Sequence, residues 1–289
     1  MKPGLFLIIL ITILSPVFCK KKDVSAHIPF TDQPQAVLLK GDLNEVSGIA
    51  DSENNPGYCW VQEDSGNPPQ IILLGHDGII LKKVLISGAV NRDWEDIVLS
   101  VTGNPVKPTL YIGDFGDNAG IHNNYSIYRF QEPLSKIDTV YAFDKINFQY
   151  PDKAHDAEAM FIDKVTGDIY IITKRDAKSR IYRLSFPQQI NTVITATYIT
   201  ELPYNGVVSA AISPDGREII IKTYNTLYYY KKSVAEPFDS LFNKPNRQLN
   251  YTIEPQGEAI GFASNGKGFF TLSEKAGSSS VNLYYYKRN

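Results

Sequence analysis

The sequence predicts an all-β fold, a five-bladed β-propeller, and two observations carry that prediction. One pattern returns five times: a small or acidic residue, a short apolar strand, a Gly-containing turn, then an aromatic-rich strand pair. The copies begin at Ser47-Gly48-Ile49-Ala50, Glu95-Asp96-Ile97-Val98, Glu158-Ala159-Met160-Phe161, Ser209-Ala210-Ala211-Ile212 and Glu258-Ala259-Ile260-Gly261. Their spacings of 48, 63, 51 and 49 residues are close to the length of one four-stranded blade. The aromatic usage also favours strands, with 18 Tyr and 14 Phe against two Trp and two Met. Six blades, one of them degenerate and hidden in the 63-residue interval, is the alternative.

The first blade is expected over residues 46–86, with turns at Asn55-Pro56-Gly57 and His76-Asp77-Gly78. The second has strands at 95–101, 109–114, 125–130 and near 145–150. The third has strands at 158–163, 168–173, 180–185 and 193–200, turning at Lys164-Val165-Thr166-Gly167. The fourth runs through 210–212, 218–223, 226–230 and 249–253, with one helical turn expected in the excursion 233–247. The fifth, at 259–263, 268–272 and 281–287, lacks a fourth strand, whereas Gln35-Ala36-Val37-Leu38-Leu39-Lys40 is a strand without a blade. A ring closed by lending that strand to the last blade removes an exposed edge. The triplets Tyr228-Tyr229-Tyr230 and Tyr284-Tyr285-Tyr286 then read as third strands packed between blades.

Met1-Lys2, the apolar run from Leu5 to Leu14, and Cys19 followed by Lys20-Lys21-Lys22 describe an export signal. That run is short of the roughly 20 residues a membrane-spanning helix needs. Residues 1–19 read as a lipoprotein-type signal ending at Cys19, the expected lipidation site, with residues 20–32 a tether and 33–289 one propeller domain. Phe18 and Pro16 stand where such signals usually carry a small residue and Leu. Cleavage by an ordinary signal peptidase and an uncleaved anchor therefore stay open. The expected location is outside the cytoplasm, on a membrane of the cell envelope. Cys59, the only other cysteine, reads as a buried strand residue. A net charge of −2, with no basic stripe, argues against a nucleic-acid partner, and a monomer is expected.

Candidate chemistry gathers where inner strands start and second strands end, because both lie on one face of a propeller. Starts supply Glu45, Asp93, Glu95, Asp156, Glu158 and Glu258. Ends supply Asp64 with Asn67, Asp114 with Asp117 and Asn118, Lys174 with Arg175, Lys222 with Tyr224, and Glu274. Two carboxylates about 4 Å apart repel by roughly 4 kcal/mol at an effective dielectric near 20. Such a ring needs a cation, neighbouring lysines and arginines, or protons. Calcium accepts six to eight oxygens in loose geometry, and the candidate ligands are Glu95, Glu158, Glu258, Asp114 and Asp64. The plain alternative is that these acids pair with Lys174, Arg175, Lys222 and backbone amides. Gly113 to Asn118 reads as a tight turn held by Asp and Asn side chains rather than a calcium loop. No Gly-x-Ser-x-Gly elbow is present, and of the four histidines only His155 adjoins an acidic doublet.

Residues 44–275 resemble a family of exported bacterial β-propeller lipoproteins of uncharacterised activity. The resemblance lies in Asp64-Ser65-Gly66, Asn91-Arg92-Asp93-Trp94-Glu95-Asp96-Ile97, Gly113 to Asn118, Asp156-Ala157-Glu158-Ala159, Thr173-Lys174-Arg175, Ser213-Pro214-Asp215-Gly216 and Gly257-Glu258-Ala259-Ile260. It implies the fold and brings no activity. The layout is also similar, by fold alone, to phytase-like and lactonase-like propellers, which hold calcium on the corresponding face.

Two functional readings follow. In one, a membrane-tethered propeller binds a small-molecule, glycan or protein ligand on its acidic face with a calcium ion. In the other, the chain is a metal-dependent hydrolase of phosphoesters or lactones. There the carboxylates hold the ion, Lys174, Arg175 and Lys222 take the substrate's charge, and Asp93, Glu95, Asp156 and Glu158 are the acidic catalytic candidates. A carboxylate or His155 would then move protons. A glycosidase is a third possibility, with no feature that singles out sugar.

Overall fold

The computed structural model describes residue 1 and residues 28–102, 107–234 and 236–289. Cys19, the signal and the tether up to residue 27 lie outside the described residues. Before the first blade comes β1 (Gln35–Leu38). Blade one is β2 (Val46–Asp51), β3 (Tyr58–Glu63), β4 (Gln70–Gly75) and β5 (Ile80–Ile86). Blade two is β6 (Trp94–Thr102), β7 (Lys107–Asp114) and β8 (Tyr125–Gln131), then after β9 (Thr139–Val140) its outer strand β10 (Asp144–Gln149). Blade three is β11 (Ala157–Ile162), β12 (Ile169–Thr173) and β13 (Arg180–Leu184), then after β14 (Val193–Thr195) its outer strand β15 (Thr197–Glu201). Blade four is β16 (Val207–Ile212), β17 (Glu218–Thr223) and β18 (Leu227–Lys231), with the short helix α1 (Phe238–Leu241) leading into β19 (Arg247–Leu249). Blade five is β20 (Gln256–Phe262), β21 (Gly268–Glu274) and β22 (Asn282–Lys287).

These strands form five antiparallel blades, and the inner strands β2, β6, β11, β16 and β20 touch in sequence and close on themselves. The five-bladed expectation therefore holds, and the six-bladed alternative falls. Closure is by the lent strand: β1 pairs antiparallel with β22, Gln35 opposite Tyr285 and Leu38 opposite Asn282. The end of the segment read as a tether also belongs to this blade. Phe30 is 2% exposed and packs edge-on to Phe269 at 4.9 Å, while Asn289 N–H donates to Pro29 C=O.

The cores lie between blades rather than within them, one at each of the five seams among the described residues. Seams this apolar explain the aromatic usage. Tyr230 and Tyr286 are buried, while Tyr228 stacks on Tyr204 with ring centroids 3.6 Å apart. Two outer segments depart from the expected pattern. The span 193–200 is split at Ala196: β14 adds in parallel to β10 of the preceding blade, and β15 completes its own. In the same way β9 adds in parallel to β5. The fourth strand of blade four is also shorter than expected and ends at Leu249.

Every inner strand carries a bulge near its start. Ser47, Glu95, Glu158 and Val208 are each skipped by the pairing with the neighbouring second strand, and in blade five the irregularity spans Gly257 and Glu258. A bulge adds one residue and re-aims side chains. It also corrects the repeat in blade four: Val208, not Ser209, is equivalent to Glu95 and Glu158. Ser209 instead matches Asp96, and the two are bonded.

Asp96 is fully buried at the axis. Its Oδ1 accepts from Ile97 N–H at 3.0 Å and Ser209 Oγ at 3.3 Å, and its Oδ2 accepts from Met160 N–H at 2.9 Å. One carboxylate thus ties the inner strands of blades two, three and four. Removing it leaves buried donors unpaired, at a cost of about 1–3 kcal/mol each. Asp96→Ala is expected to destabilise the fold by roughly 3 kcal/mol or more, a fall in melting temperature of roughly 6 °C or more. Thermal unfolding checks this, and a fall of under about 2 °C would show that the axis does not depend on the carboxylate.

Candidate functional site

The bulges aim Glu95, Glu158 and Glu258 at the face where the inner strands begin. All three are buried, at 3–4% exposure. Asp93 and Asp156 precede them by two residues, Asp64 follows the end of β3, and Glu274 ends β21. Single carboxylate oxygens of Asp64, Asp93 and Glu95 lie within 4.8 Å of one another, and so do those of Glu95, Asp156 and Glu158. The two trios share Glu95. Among the described residues, blade four contributes no acid to this ring, because its bulge residue is Val208.

The Gly113 to Asn118 segment shapes the ring rather than adding ligands to it. A side chain at Gly116 would place a Cβ 2.2 Å from Glu95 Oε1 and 2.4 Å from Asp93 Oδ2, so only glycine lets the loop press onto both acids. Asp114 Oδ1 accepts the Asp93 N–H at 2.9 Å, and Asp117 N–H donates to Asp156 Oδ1 at 2.8 Å. The Asp117 carboxylate in turn accepts from Ile121 N–H, His122 N–H and the Tyr125 hydroxyl. Asp114 therefore stands behind the trios as a support. Asn91 has a similar part, its amide donating to Glu63 and Asp64 carbonyls while its Oδ1 accepts Trp94 N–H.

Cations meet the ring on one side. Lys174 Nζ pairs with Glu158 Oε1, donates to the Tyr224 hydroxyl at 2.9 Å and lies 3.5 Å from Glu258 Oε1. Tyr224 passes the interaction on by donating to Glu258 Oε1. Arg175 Nε lies 2.7 Å from Asp156 Oδ2, and its guanidinium bonds Asn118. Lys222 is placed elsewhere. It is fully buried beneath the ring, paired with Glu254, which also accepts from Tyr251 and Thr271. His155 is likewise outside the ring, its Nδ1 2.8 Å from Asp176 and its Nε2 2.8 Å from the Tyr182 hydroxyl.

Among the described residues, the carboxyls of Asp64, Asp93, Glu95, Asp156, Glu158, Glu258 and Glu274 therefore crowd together, with Lys174 against Glu158 and Glu258 and Arg175 against Asp156. Burial and mutual repulsion raise the pKa of several of these carboxyls. Burial, then Glu158, Asp64, Asp93 and Glu258, push Glu95 well above the carboxylate range. Burial pushes Glu158 up as well; Lys174 opposes this, and Glu258 adds to it. Burial raises Asp64 to about 7 against the opposing Ser65 N–H, with Asp93 and Glu258 contributing. Glu274 is raised to about 9 by burial and by its contact with Glu258. Burial works against the Lys174 ammonium, but Glu158 and Glu258 outweigh it and hold its pKa above the ordinary value. Glu158 Oε2, though buried, has no hydrogen-bond partner. Beyond Asp156 a cavity of about 190 Å³ opens toward Asn118, Lys153, Arg175 and Asp176.

Sequence reasoning thus finds the acids of the ring, and the fold brings Asp64, Asp93, Glu95, Asp156, Glu158, Glu258 and Lys174 together. It misses Asp96 and Glu254, the acids that anchor the ring from below, and the part of Gly116, which the turn from Gly113 to Asn118 does not by itself reveal. Comparison of the chain with protein-family models and with curated protein sequences gives no match. Among solved structures, an auxiliary nutrient binding protein from Bacteroides thetaiotaomicron is similar at 10% identity and a TM-score of 0.48. The alignment covers 89% of this chain and 73% of that one. The fold assignment rests on the strand pairing of the chain itself.

The raised acidities fix a pH dependence. A carboxyl whose pKa is raised on folding still binds a proton that the unfolded chain has released. Its contribution to stability is intact below about pH 4 and is lost as pH rises through the folded value. In chelator, the melting temperature is expected to fall between about pH 5 and pH 9, following Asp64 near 7 and Glu274 near 9. A flat or rising profile over that window would mean that Lys174 and Arg175 already balance the ring.

Proposed function

We propose that this chain is an exported, lipid-anchored β-propeller that binds a ligand or partner on its acidic face by way of a calcium ion. The observation that carries the reading is Glu158 Oε2, buried and unpartnered among the oxygens of Glu95 and Asp156. The donor set is all oxygen and strongly acidic, which suits a hard cation such as calcium. Glu95 is common to both trios, so it is the residue on which the ion would depend most. A bound ion would displace the protons that otherwise relieve the repulsion. It would also present positive charge toward the cavity beside Asp156, where an anionic group of a small molecule, glycan or protein could be taken. Cys19, placed after the apolar run, would hold the propeller at a membrane of the cell envelope.

The hydrolase reading has less support. Of the cations it needs, Lys222 is sealed against Glu254 and Lys174 is engaged by Glu158 and Tyr224. His155 is 3% exposed, with both ring nitrogens occupied. Binding without turnover asks nothing of these groups.

Thermal unfolding in calcium and then in excess chelator tests the reading. Saturation a hundredfold above Kd adds about 2.7 kcal/mol, roughly 5 °C or more for a chain of this size. The shift is expected in the native protein and is expected to disappear in the double variant Glu95→Gln with Glu158→Gln. No shift in the native protein, or an undiminished shift in the variant, would remove calcium from the acidic ring.

A further inference from the structure

On the opposite face, at the seam between blades one and five, three side chains of different chemistry converge. Asp51 ends β2, Cys59 lies in β3, and His76 stands in the β4–β5 turn. One ligand atom from each lies within 4.8 Å of the others. His76 Nε2 is 2.7 Å from Asp51 Oδ1, and Cys59 Sγ is 3.5 Å from the same oxygen. The second Asp51 oxygen is fixed by Ser264 N–H at 2.8 Å, from blade five. The imidazole lies against Phe270, ring centroids 4.7 Å apart.

We propose that Asp51, Cys59 and His76 form a binding site for a zinc-class divalent cation, independent of the acidic ring. Thiolate, imidazole and carboxylate are the donor types such ions take, at about 2.3 Å for sulfur and about 2.0 Å for nitrogen and oxygen. In a tetrahedral shell those lengths separate sulfur from oxygen by about 3.5 Å and nitrogen from oxygen by about 3.3 Å. The sulfur–oxygen edge already has this length. The nitrogen–oxygen edge must open by about half an ångström, and His76 is free to yield because its side chain is 37% exposed on a turn.

The surroundings fit three protein ligands and one open position. A cavity of about 230 Å³ reaches Asp51 and His76 and is walled by Gln35, Val37, Asn265, Phe270 and Tyr285. A water or an outside donor can complete the shell from there. Burial, then Asp51, keep the metal-free Cys59 thiol protonated well above its ordinary pKa. Metal entry therefore breaks the S–H bond, forms a metal–sulfur bond and releases one proton to solvent, with no change of oxidation state. Because Ser264 holds the shared carboxylate, an ion here also braces the seam that β1 closes.

Cobalt(II) is the probe, added to the reduced full-length protein in detergent. Tetrahedral cobalt bound through a thiolate gives visible d–d bands with a near-ultraviolet sulfur-to-cobalt charge-transfer absorption, which oxygen ligands alone do not give. One equivalent per chain is expected to produce it, and zinc is expected to bleach it. Cys59→Ser, close to the native volume, is expected to abolish the charge-transfer absorption, and His76→Ala to weaken cobalt binding tenfold or more. Cys19→Ser and the Glu95→Gln/Glu158→Gln pair are expected to leave it in place. Absence of the absorption in the native protein, or its survival in Cys59→Ser, would overturn the proposal and leave Asp51 and His76 an ordinary hydrogen-bonded pair.

Discussion

Asp96 sits at the axis of the ring, accepts hydrogen bonds from its own neighbour Ile97 and from two further inner strands through Met160 and Ser209, and so couples three blades through one buried carboxylate. Burial holds the pKa of this acid well above the ordinary carboxylate value, although the donors around it work in the opposite direction. Its inward aim depends on the bulge at Glu95. In a regular strand adjacent side chains alternate between faces. The extra residue breaks the alternation, so Glu95 and Asp96 both serve the axis, one on the open face and one beneath it. The same device in blades three and five turns Glu158 and Glu258 toward the same face.

Crowding of these acids is then held in check from several directions. Gly116 admits the carboxyls of Asp93 and Glu95 under the loop, while amides of Asp93 and Asp117 tie Asp114 and Asp156 into the same framework. Lys174 and Tyr224 join Glu158 to Glu258 across blades three, four and five. Lys222 and Glu254 form a fully buried pair below. Such a pair adds little net stability, yet breaking it would strand a charge. What this framework leaves unbalanced is the side where the two trios meet at Glu95.

Much of this architecture is legible in the sequence, because blade repeats are long and their turns carry Gly, Asn and Pro at fixed offsets. The lent strand was readable because Gln35 to Leu38 had no partner while β22 had an open edge. The acids of the ring were readable because strand ends map to one face. The bulges were not, since one added residue leaves no mark on a pattern of apolar runs; that is why blade four aligned one residue late, at Ser209 instead of Val208. The same lack of a mark hides Asp96, because strict alternation turns it outward once Glu95 faces inward. Lys222 illustrates a further limit. It pairs opposite Ser209 near the end of β17, but its ammonium turns beneath Gly257 to Glu254, which only side-chain packing decides. The parallel additions β9 and β14 are two and three residues long, too short to carry periodicity. Asp51, Cys59 and His76 come from three separate segments of one blade, and nothing in their spacing joins them.

Under the function proposed above, the repulsion among the buried carboxyls is relieved by protons, and by a cation that displaces them. Calorimetric titration of calcium at pH 7 in buffers of different ionisation enthalpy measures that exchange directly. The acids raised around Glu95 predict that protons leave as the ion binds, roughly one or more per ion near pH 7, and that fewer leave as pH rises toward 9. Calcium binding with no proton release at pH 7 would contradict the account, because the ring would then already be fully ionised and balanced by its own lysine and arginine.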